Sequence, residues 1–399
     1  MNTSTLRSLC CFLLLCAVSV AQAQLDTALF SGMKARSIGP AGMSGRIGGI
    51  DAVIANPEIM VVGVSTGGVW KSTNSGTTWK PLFDTQPVAA IGSVAIFQPN
   101  PAIVWVGTGE GNPRNSVSVG NGIYKSVDGG QTWSHLGLDR TERIHRVLLH
   151  PGDPNVAYAA AMGQMWGENP ERGVYKTTDG GKTWRKVLSV DEKTGCGELV
   201  MDPANPNKLI AAMWEYRRWP WFFKSGGPGS GLYSTYDGGE TWKRLGSDEG
   251  LPKGELGRIG IGIAKSNPDV VYALVEAKRN ALYRSEDGGQ SWKMVNDSRS
   301  VNGRPFYYAD IRVDPQNENR IYSLQTNLTV STDGGKTFSN ITPGNRVHSD
   351  HHALWINPLD GSQLIDGNDG GLAVSNDKGK TWRFVENLPL GQFYHINVD

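Results

Sequence analysis

Short apolar segments alternate with polar turns along almost the whole chain, and no segment keeps the 3.6-residue periodicity of an amphipathic helix. The apolar residues 104–106, for example, follow a turn at Asn100 and Pro101, and residues 122–125 precede Asp-Gly-Gly at 128–130. Asp-Gly-Gly between two apolar segments is a hairpin signal, because glycine readily adopts the positive φ that tight turns need. The pattern predicts an all-β protein.

The hairpin signal is repeated seven times, at intervals of 44 to 58 residues. Each copy has Ser or Thr two residues before an Asp or Asn, Gly two residues after it, and an aromatic residue five residues after it. The Asp or Asn positions are Asn74, Asp128, Asp179, Asp237, Asp287, Asp333 and Asp377. Each repeat has room for four short antiparallel strands, which is typical of a propeller blade. We therefore expect a seven-bladed β-propeller of four-stranded blades.

This arrangement resembles the Asp-box (BNR) repeat superfamily of β-propellers, which includes sialidases, xyloglucanases, sortilin-type receptors and plastid photosystem-assembly factors. The resemblance covers about residues 46–390. It implies that the seven Asp-box residues are structural, with the Asp tying the hairpin and the aromatic residue packing between blades. It does not decide function, because the superfamily contains both enzymes and binding proteins.

The chain ends have their own patterns. Residues 1–23 predict a cleaved secretory signal, with Arg7, an apolar run over 9–21 and Ala-Gln-Ala at 21–23. We therefore expect a secreted or periplasmic protein with no membrane span. Residues 24–45 are a lead-in segment, the propeller covers 46–390, and the alternation in 391–399 predicts a further strand, which a second propeller in a longer protein would continue.

The charge balance argues against nucleic-acid and membrane partners, and the cysteine content argues against an intramolecular disulfide. The chain has 39 Lys and Arg against 38 Asp and Glu, a formal net charge of +1. Broad capture of nucleic acid or of an anionic membrane needs a surface of one sign, so we expect neither partner. Three of the four cysteines lie in the predicted signal, and Cys196 alone forms no intramolecular disulfide.

Unequal loops point to the functional face. With the strands of a blade labelled A to D from the axis outward, the B–C loops and the D–A connections form one face, which we call the site face. Its loops are long in blades two to four, at 107–122, 163–173 and 215–231. Long loops in compact domains tend to be functional.

The blade-four loop is rich in aromatic residues. It resembles a platform for sugar rings or an anchor for a peptide, and the alternative is a small core packed against blade three. The candidate ligand-binding residues are Trp166, Tyr216, Trp219, Trp221, Phe222 and Arg114.

Histidines and carboxylates gather near the start of blade seven. We expect His348, Asp350, His352 and Asp369 to share a small volume beside the axis. Imidazole and carboxylate suit a divalent metal such as Zn²⁺, or acid–base chemistry, and the alternative is a hydrogen-bonded polar plug in the channel. No cofactor is required by the sequence.

Glycoside hydrolysis would need two carboxylates facing each other across a cleft. The candidate catalytic residues are Asp350, Asp369, Glu110 and Glu215. The superfamily resemblance can be tested at particular positions. The Arg-Ile-Pro motif of sialidases is absent, and Ser65 replaces the Asp that xyloglucanases carry before the Gly-Gly of the first B–C turn. Their second acid lies in a second propeller.

Three functional hypotheses remain. The first is a carbohydrate-active protein, glycosyl-hydrolase-like or glycan-binding, that acts on a polysaccharide or oligosaccharide and forms the N-terminal part of a longer protein. The second is a sortilin-like or assembly-factor-like module that binds a peptide or protein without catalysis. The third is a metal-dependent hydrolase centred on the His–Asp cluster.

Overall fold

The computed structural model describes residues 45–391 except 116, 300, 302, 345 and 346. The predicted signal at 1–23, nearly all of the lead-in at 24–45 and nearly all of the predicted strand at 391–399 lie outside the described residues. Within the described part, the helical elements are two 3₁₀ turns, Asp139–Thr141 and Ser247–Glu249. No helix long and apolar enough to cross a membrane is found among these residues.

The first three blades each contain four consecutive strands, which run from A to D along the chain. Blade one has β1 (Ile47–Ala52), β2 (Met60–Val64), β3 (Gly68–Ser72) and β4 (Lys80–Pro81). Blade two has β5 (Ile91–Ile96), β6 (Val104–Thr108), β7 (Ile123–Ser126) and β8 (Ser134–His135). Blade three has β9 (Ile144–Leu149), β10 (Ala157–Ala161), β11 (Gly173–Thr177) and β12 (Arg185–Leu188).

Blades four to seven follow the same order, except that blade four has an additional strand. Blade four has β13 (Thr194–Met201), β14 (Leu209–Trp219), β15 (Phe222–Ser225), β16 (Gly231–Thr235) and β17 (Lys243–Leu245). Blade five has β18 (Ile259–Ile263), β19 (Val271–Val275), β20 (Ala281–Ser285) and β21 (Lys293–Asn296). Blade six has β22 (Asp310–Asp314), β23 (Asn317–Leu324), β24 (Leu328–Ser331) and β25 (Ser339–Asn340). Blade seven has β26 (His351–Ile356), β27 (Leu364–Asn368), β28 (Gly371–Ser375) and β29 (Arg383–Phe384).

The sheets confirm the predicted fold. Neighbouring strands in each sheet pair antiparallel in the order A-B-C-D, and β15 pairs only with β14, outside that order. Strands B such as β2, β10 and β19 are buried along their whole length, because each blade lies between two others. The seven A strands contact one another all round the axis, including β1 with β26. The described part is therefore a closed ring of seven blades.

The repeated turns are held by a short hydroxyl–carboxylate network. In blade three, the Thr177 hydroxyl donates to Asp179 Oδ1 at 2.8 Å and accepts from the Gly181 N–H at 2.9 Å. Asp179 Oδ1 also accepts from the Thr183 N–H at 3.0 Å. The indole of Trp184 donates to the Leu136 carbonyl of the preceding blade at 2.9 Å. The hydroxyl and carboxylate bonds close the turn, while the indole bond ties one blade to the next.

The hydrophobic core runs between blades as well as within them. Ile47 and Val62 of blade one share a buried cluster with Ile365 and Leu372 of blade seven. Similar clusters join blades four and five, and blades two and three. Because the core lies between the blades, the loops at the two ends of the strands are free to carry polar groups.

Candidate functional site

The centre of the site face is built where the A strands begin. Arg46 precedes β1, Arg143 precedes β9, Arg258 precedes β18 and Asp350 precedes β26. Since the blades repeat the same register, these residues hold equivalent positions at the rim of the channel. The B–C loops of neighbouring blades supply the groups that meet them.

Arg46 joins two carboxylates from different blades. Its Nε donates to Asp369 Oδ1 at 2.6 Å and its second terminal nitrogen donates to Asp369 Oδ2 at 3.3 Å. The other terminal nitrogen donates to Glu110 Oε1. The side chains of Glu110 and Asp369 are only 2% and 13% exposed. The Arg46 guanidinium thus binds Asp369 through two nitrogens and Glu110 through its third. These hydrogen bonds fix the positions of all three side chains.

His352 completes this cluster from the other side. Its Nε2 lies 2.9 Å from Asp369 Oδ1, and the imidazole packs against the aromatic rings of Tyr307 and Tyr308 at centroid distances of 4.8 and 5.7 Å. The Tyr307 hydroxyl donates to Asp369 Oδ2 at 3.3 Å, and the Tyr308 hydroxyl donates to Asp350 Oδ1 at 2.5 Å. Carboxylates, imidazole and phenols therefore form one polar network at the mouth of the channel.

The environment moves the pKa values of the two central carboxyls in opposite directions. Burial raises the pKa of Glu110, although the nearby Arg46 opposes the shift. Burial would also raise the pKa of Asp369, but hydrogen bonds from His352 and Arg46 outweigh it and hold that pKa well below its usual range. Burial lowers the pKa of His352, which favours a neutral imidazole. Two carboxyls whose pKa values are shifted in opposite directions are typical of a catalytic acid and base. Here, however, Arg46 binds both carboxyls.

The structure brings some of the predicted site residues together and separates others. Glu110, Asp369 and His352 meet, and Asp350 joins them through Tyr308. Glu215 lies apart from the Arg46 contacts, where it binds Lys224 at 2.7 Å.

The expected metal-binding set of His348, Asp350, His352 and Asp369 is not assembled. No three His, Cys, Asp or Glu side chains in the described ranges converge on a metal position. The reason is that Arg46 and His352 take the oxygens of Asp369, while His348 Nδ1 lies 2.8 Å from the Ser349 carbonyl oxygen.

The long blade-four loop is a β-hairpin rather than an irregular loop. Strand β14 continues past the blade and pairs with β15, with Tyr216 opposite Ser225 and Trp219 opposite Phe222. At its tip Trp221 is 83% exposed and Phe222 is 56% exposed. We call residues 214–225 the aromatic hairpin.

The two interpretations of this loop apply to different halves of the aromatic hairpin. Tyr216 is 2% exposed and packs with Met162, Met165 and Trp214 as the expected small core against blade three. It therefore offers no open face for stacking. The outer half remains open, and Trp166 from the blade-three loop is 40% exposed.

A cavity of about 180 Å³ lies between the aromatic hairpin and the blade-three loop. Its lining is mostly charged or aromatic and includes Glu168, Lys193, Glu215, Arg217, Trp219 and Lys224. The Arg217 guanidinium lies 4.6 Å from the centroid of the Trp219 ring. The cavity can take a polar group beside an aromatic wall.

Several residues of the site were not predicted from the sequence. Arg46, Tyr307 and Tyr308 form its centre, and deeper in the channel Arg146 binds Glu198 at 2.6 Å. The sequence did contain a signal for Arg46. Of the four Arg-Ile pairs in the sequence, those at 46, 143 and 258 each come directly before a strand A, and aligning the repeats would have placed these three arginines at the channel rim.

Comparison with known proteins places the chain among related propellers. The Sortilin-Vps10 family model, described as sortilin, neurotensin receptor 3, matches residues 121–253. A xyloglucanase of Acetivibrio thermocellus is 25% identical over 327 residues, which are 71% of this chain and 37% of that protein.

Solved structures show the same fold. The GH74 xyloglucanase from Xanthomonas campestris has a TM-score of 0.65 at 18% identity, with 88% of this chain and 56% of that chain covered. The structure of YCF48 bound to D1 peptide has a TM-score of 0.56 at 16% identity, with 84% of this chain and 94% of that chain covered.

These relatives are much longer than the part of them that this chain matches. The chain spans about a sixth to two fifths of the length of the curated xyloglucanases that it matches, for example 22% of one from Paenibacillus and 37% of the Acetivibrio protein. Fold, family model and relatives nevertheless agree: the chain is a seven-bladed propeller of the sortilin/xyloglucanase-like kind.

Proposed function

We propose that this chain is a glycan-binding propeller that holds a polysaccharide on the site face. One observation carries the proposal: at the tip of the aromatic hairpin Trp221 is 83% exposed and Phe222 is 56% exposed. Exposed aromatic residues clustered on one surface mark interaction sites in soluble proteins. Aromatic rings stack well on the apolar faces of sugars, and the similarity to xyloglucanases favours a β-linked glucan among neutral ligands.

The proposed role is binding rather than cleavage. A glycosidase needs one carboxylic acid free to protonate the leaving oxygen and a second carboxylate free to act on the sugar or on water. Here Glu110 and Asp369 both accept hydrogen bonds from Arg46, and Glu215 is paired with Lys224. These contacts leave none of the three in a catalytic arrangement.

A glycan-binding role agrees with the signal predicted at residues 1–23, which would deliver the protein to the periplasm or the medium. Polysaccharides of the cell surface or the surroundings are accessible there. We therefore place the binding activity outside the cytoplasm.

The test is affinity electrophoresis in gels containing xyloglucan, mixed-linkage glucan or mannan. We expect retardation in at least one gel, and loss of most of it in Trp221→Ala and Trp219→Ala, because each removes stacking worth about 1 kcal/mol or more. Tyr236→Ala is the matched control. This residue is also exposed, to 50%, but lies in the repeated turn on the opposite face.

Equal retardation of Trp221→Ala and wild type would refute the aromatic hairpin as the binding surface. Absence of retardation in all three gels, in a folded preparation, would refute binding of these neutral glycans, and absence of binding to any neutral or acidic polysaccharide would refute the glycan proposal as a whole. Thermal unfolding of each variant excludes misfolding as the cause, and it should stay close to wild type because Trp221 and Tyr236 are exposed and Trp219 is only partly buried.

A second candidate is a peptide-binding module, and the similarity to YCF48 bound to D1 peptide over 84% of this chain favours it. An exposed Trp and Phe at the tip of a hairpin would also serve as a hydrophobic anchor. Glycan binding that Trp221→Ala abolishes would reject this candidate.

A further inference from the structure

Two arginines from different blades meet at the base of the aromatic hairpin. Arg218 lies on β14, with its guanidinium carbon 4.7 Å from the centroid of the Phe223 ring. Arg304 comes from the connection between blades five and six and lies 5.1 Å from the centroid of Phe306. The rings of Phe223 and Phe306 are themselves 5.1 Å apart, so the arginines flank one aromatic pair.

Neither of these arginines has a counter-ion within the described part of the chain. Among the described residues no carboxylate pairs with Arg218 or Arg304, and the Nε of Arg218 is buried without an acceptor from them. Burial lowers the pKa of Arg218, and the charge of Arg304 lowers it further. Two nearby positive charges repel each other, and an unpaired buried donor costs free energy. A bound anion would offset both costs.

A third arginine continues the row toward the channel. The Arg114 guanidinium lies 5.2 Å from the centroid of Tyr307, and Arg304 lies 4.9 Å from the same ring. Arg114 is 43% exposed, and its nearest carboxylate oxygen, Asp369 Oδ2 at 3.6 Å, belongs to a group already bound by Arg46. We call this row the arginine ledge; it consists of Arg114, Arg218, Arg304, Phe223, Phe306 and Tyr307.

The arginine ledge is a local feature that adjoins the proposed glycan surface. The chain as a whole has a formal net charge of only +1, so a row of three arginines, two of them without a carboxylate partner among the described residues, is not a consequence of a basic protein. Trp221 lies in the turn three residues beyond Arg218, at most about 10 Å along the chain. A polymer stacked on the tip would therefore reach the ledge.

We propose that the ligand of the site face is an acidic polysaccharide whose uronic-acid carboxylates bind the arginine ledge. Planar guanidinium groups bind carboxylates through two parallel hydrogen bonds, and the aromatic rings beneath them hold the guanidiniums in place by stacking. This inference rests on the proposed glycan-binding function and adds the charge of the ligand to it.

The test compares each acidic polymer with a chemically matched neutral one. Polygalacturonate, alginate and glucuronoxylan are titrated calorimetrically, alongside the same polymers after reduction of their carboxyl groups to alcohols. We expect at least one acidic polymer to bind about tenfold or more tightly than its reduced form, the effect of one charge-assisted hydrogen bond or more. The difference should shrink in about 0.5 M salt, which screens partly exposed charges.

Variants then assign the effect to the arginine ledge. Arg218→Gln and Arg304→Gln should each weaken binding of the acidic polymer about tenfold and leave that of its reduced form nearly unchanged. Arg185→Gln is the matched control, because it makes the same change in net charge at a 58% exposed residue beside the turns of the opposite face. Its binding should equal that of wild type.

The outcomes separate the two proposals. If all three acidic polymers bind no better than their reduced forms, the acidic ligand is refuted while glycan binding stands. If no glycan binds at all, both fail. If a poly-glutamate peptide binds through Arg218 and Arg304 and no polyuronate does, the arginine ledge serves an acidic peptide, and the inference is overturned.

Discussion

Three arginines show how one repeated sequence position takes different partners. Arg46 binds Asp369, Arg143 donates to the Gly163 carbonyl at 2.8 Å, and Arg258 donates to the Phe306 carbonyl at 3.1 Å. All three precede an isoleucine that begins a strand A. The local sequence sets where each arginine starts, but the loops of other blades decide what it meets. Arg46 is central to the site because carboxylates of blades two and seven reach it.

The buried carboxyl of Asp51 leads to a prediction about the pH dependence of stability. Its carboxylate accepts hydrogen bonds from the N–H groups of Ala52 at 2.8 Å and Ile96 at 2.7 Å, yet burial raises its pKa from 3.8 to about 7. Between about pH 4 and pH 7 the Asp51 carboxyl is therefore protonated in the folded state and ionised in the unfolded state. The stabilisation from this proton is complete below pH 4 and is lost as pH rises through 7.

Consequently, the free energy of unfolding of wild type should fall between pH 5 and pH 8 relative to that of Asp51→Asn, by on the order of 2 kcal/mol. Urea denaturation at the two pH values measures the difference. Parallel pH dependence in the two proteins would show that Asp51 is ionised in the fold.

The His–Asp cluster shows the limit of prediction at this scale. The sequence places His352 and Asp369 near each other because both flank the same blade entrance, and their side chains do meet at 2.9 Å. Asp350 adopts a positive φ of 66° and binds Tyr308, while His348 lies 2.8 Å from the Ser349 carbonyl. Spacing along a loop does not set side-chain direction, so the predicted set of four separates.

At the scale of the element, the repeated turn depends on a buried hydroxyl. Thr177 is 1% exposed, and its oxygen accepts the Gly181 N–H. Thr177→Val keeps the shape but leaves that N–H unpaired, so we expect a loss of about 1–3 kcal/mol in the free energy of unfolding. Thr177→Ser keeps the hydroxyl and should cost much less, since Ser126 fills the same position in blade two. Urea denaturation compares the three proteins, and equal losses in both variants would contradict this role.

The aromatic hairpin is an element whose position, but not its form, is visible in the sequence. The long interval between the third and fourth turns indicates an insertion in blade four. That the insertion continues as strand depends on the pairing of Tyr216 with Ser225 and on the Arg218 N–H, which donates to the Met165 carbonyl at 2.9 Å. The second contact comes from blade three, which no local pattern could reveal.

At the scale of the whole molecule, the described ring is closed by packing between blades one and seven. Ile47 and Ile144 both begin a strand A and are both fully buried, Ile47 against blade seven and Ile144 between blades two and three. If the seam between blades one and seven is as tight as an ordinary one, Ile47→Ala and Ile144→Ala should lower the free energy of unfolding equally, by about 3 kcal/mol each. Chemical denaturation measures both, and a much smaller loss for Ile47→Ala would mean that the seam is open in solution.

The number of blades and their strand order follow from the amino-acid sequence alone. The residues that close each repeated turn lie close together in the sequence, within a single hairpin. Each copy of the pattern therefore identifies one blade. The composition of the site, in contrast, depends on contacts between distant blades. Arg46 and Asp369 are 323 positions apart, and Arg218 and Arg304 come from different blades. Such contacts exist only once the ring brings its loops to a common axis, because their geometry depends on the packing of all the blades between them.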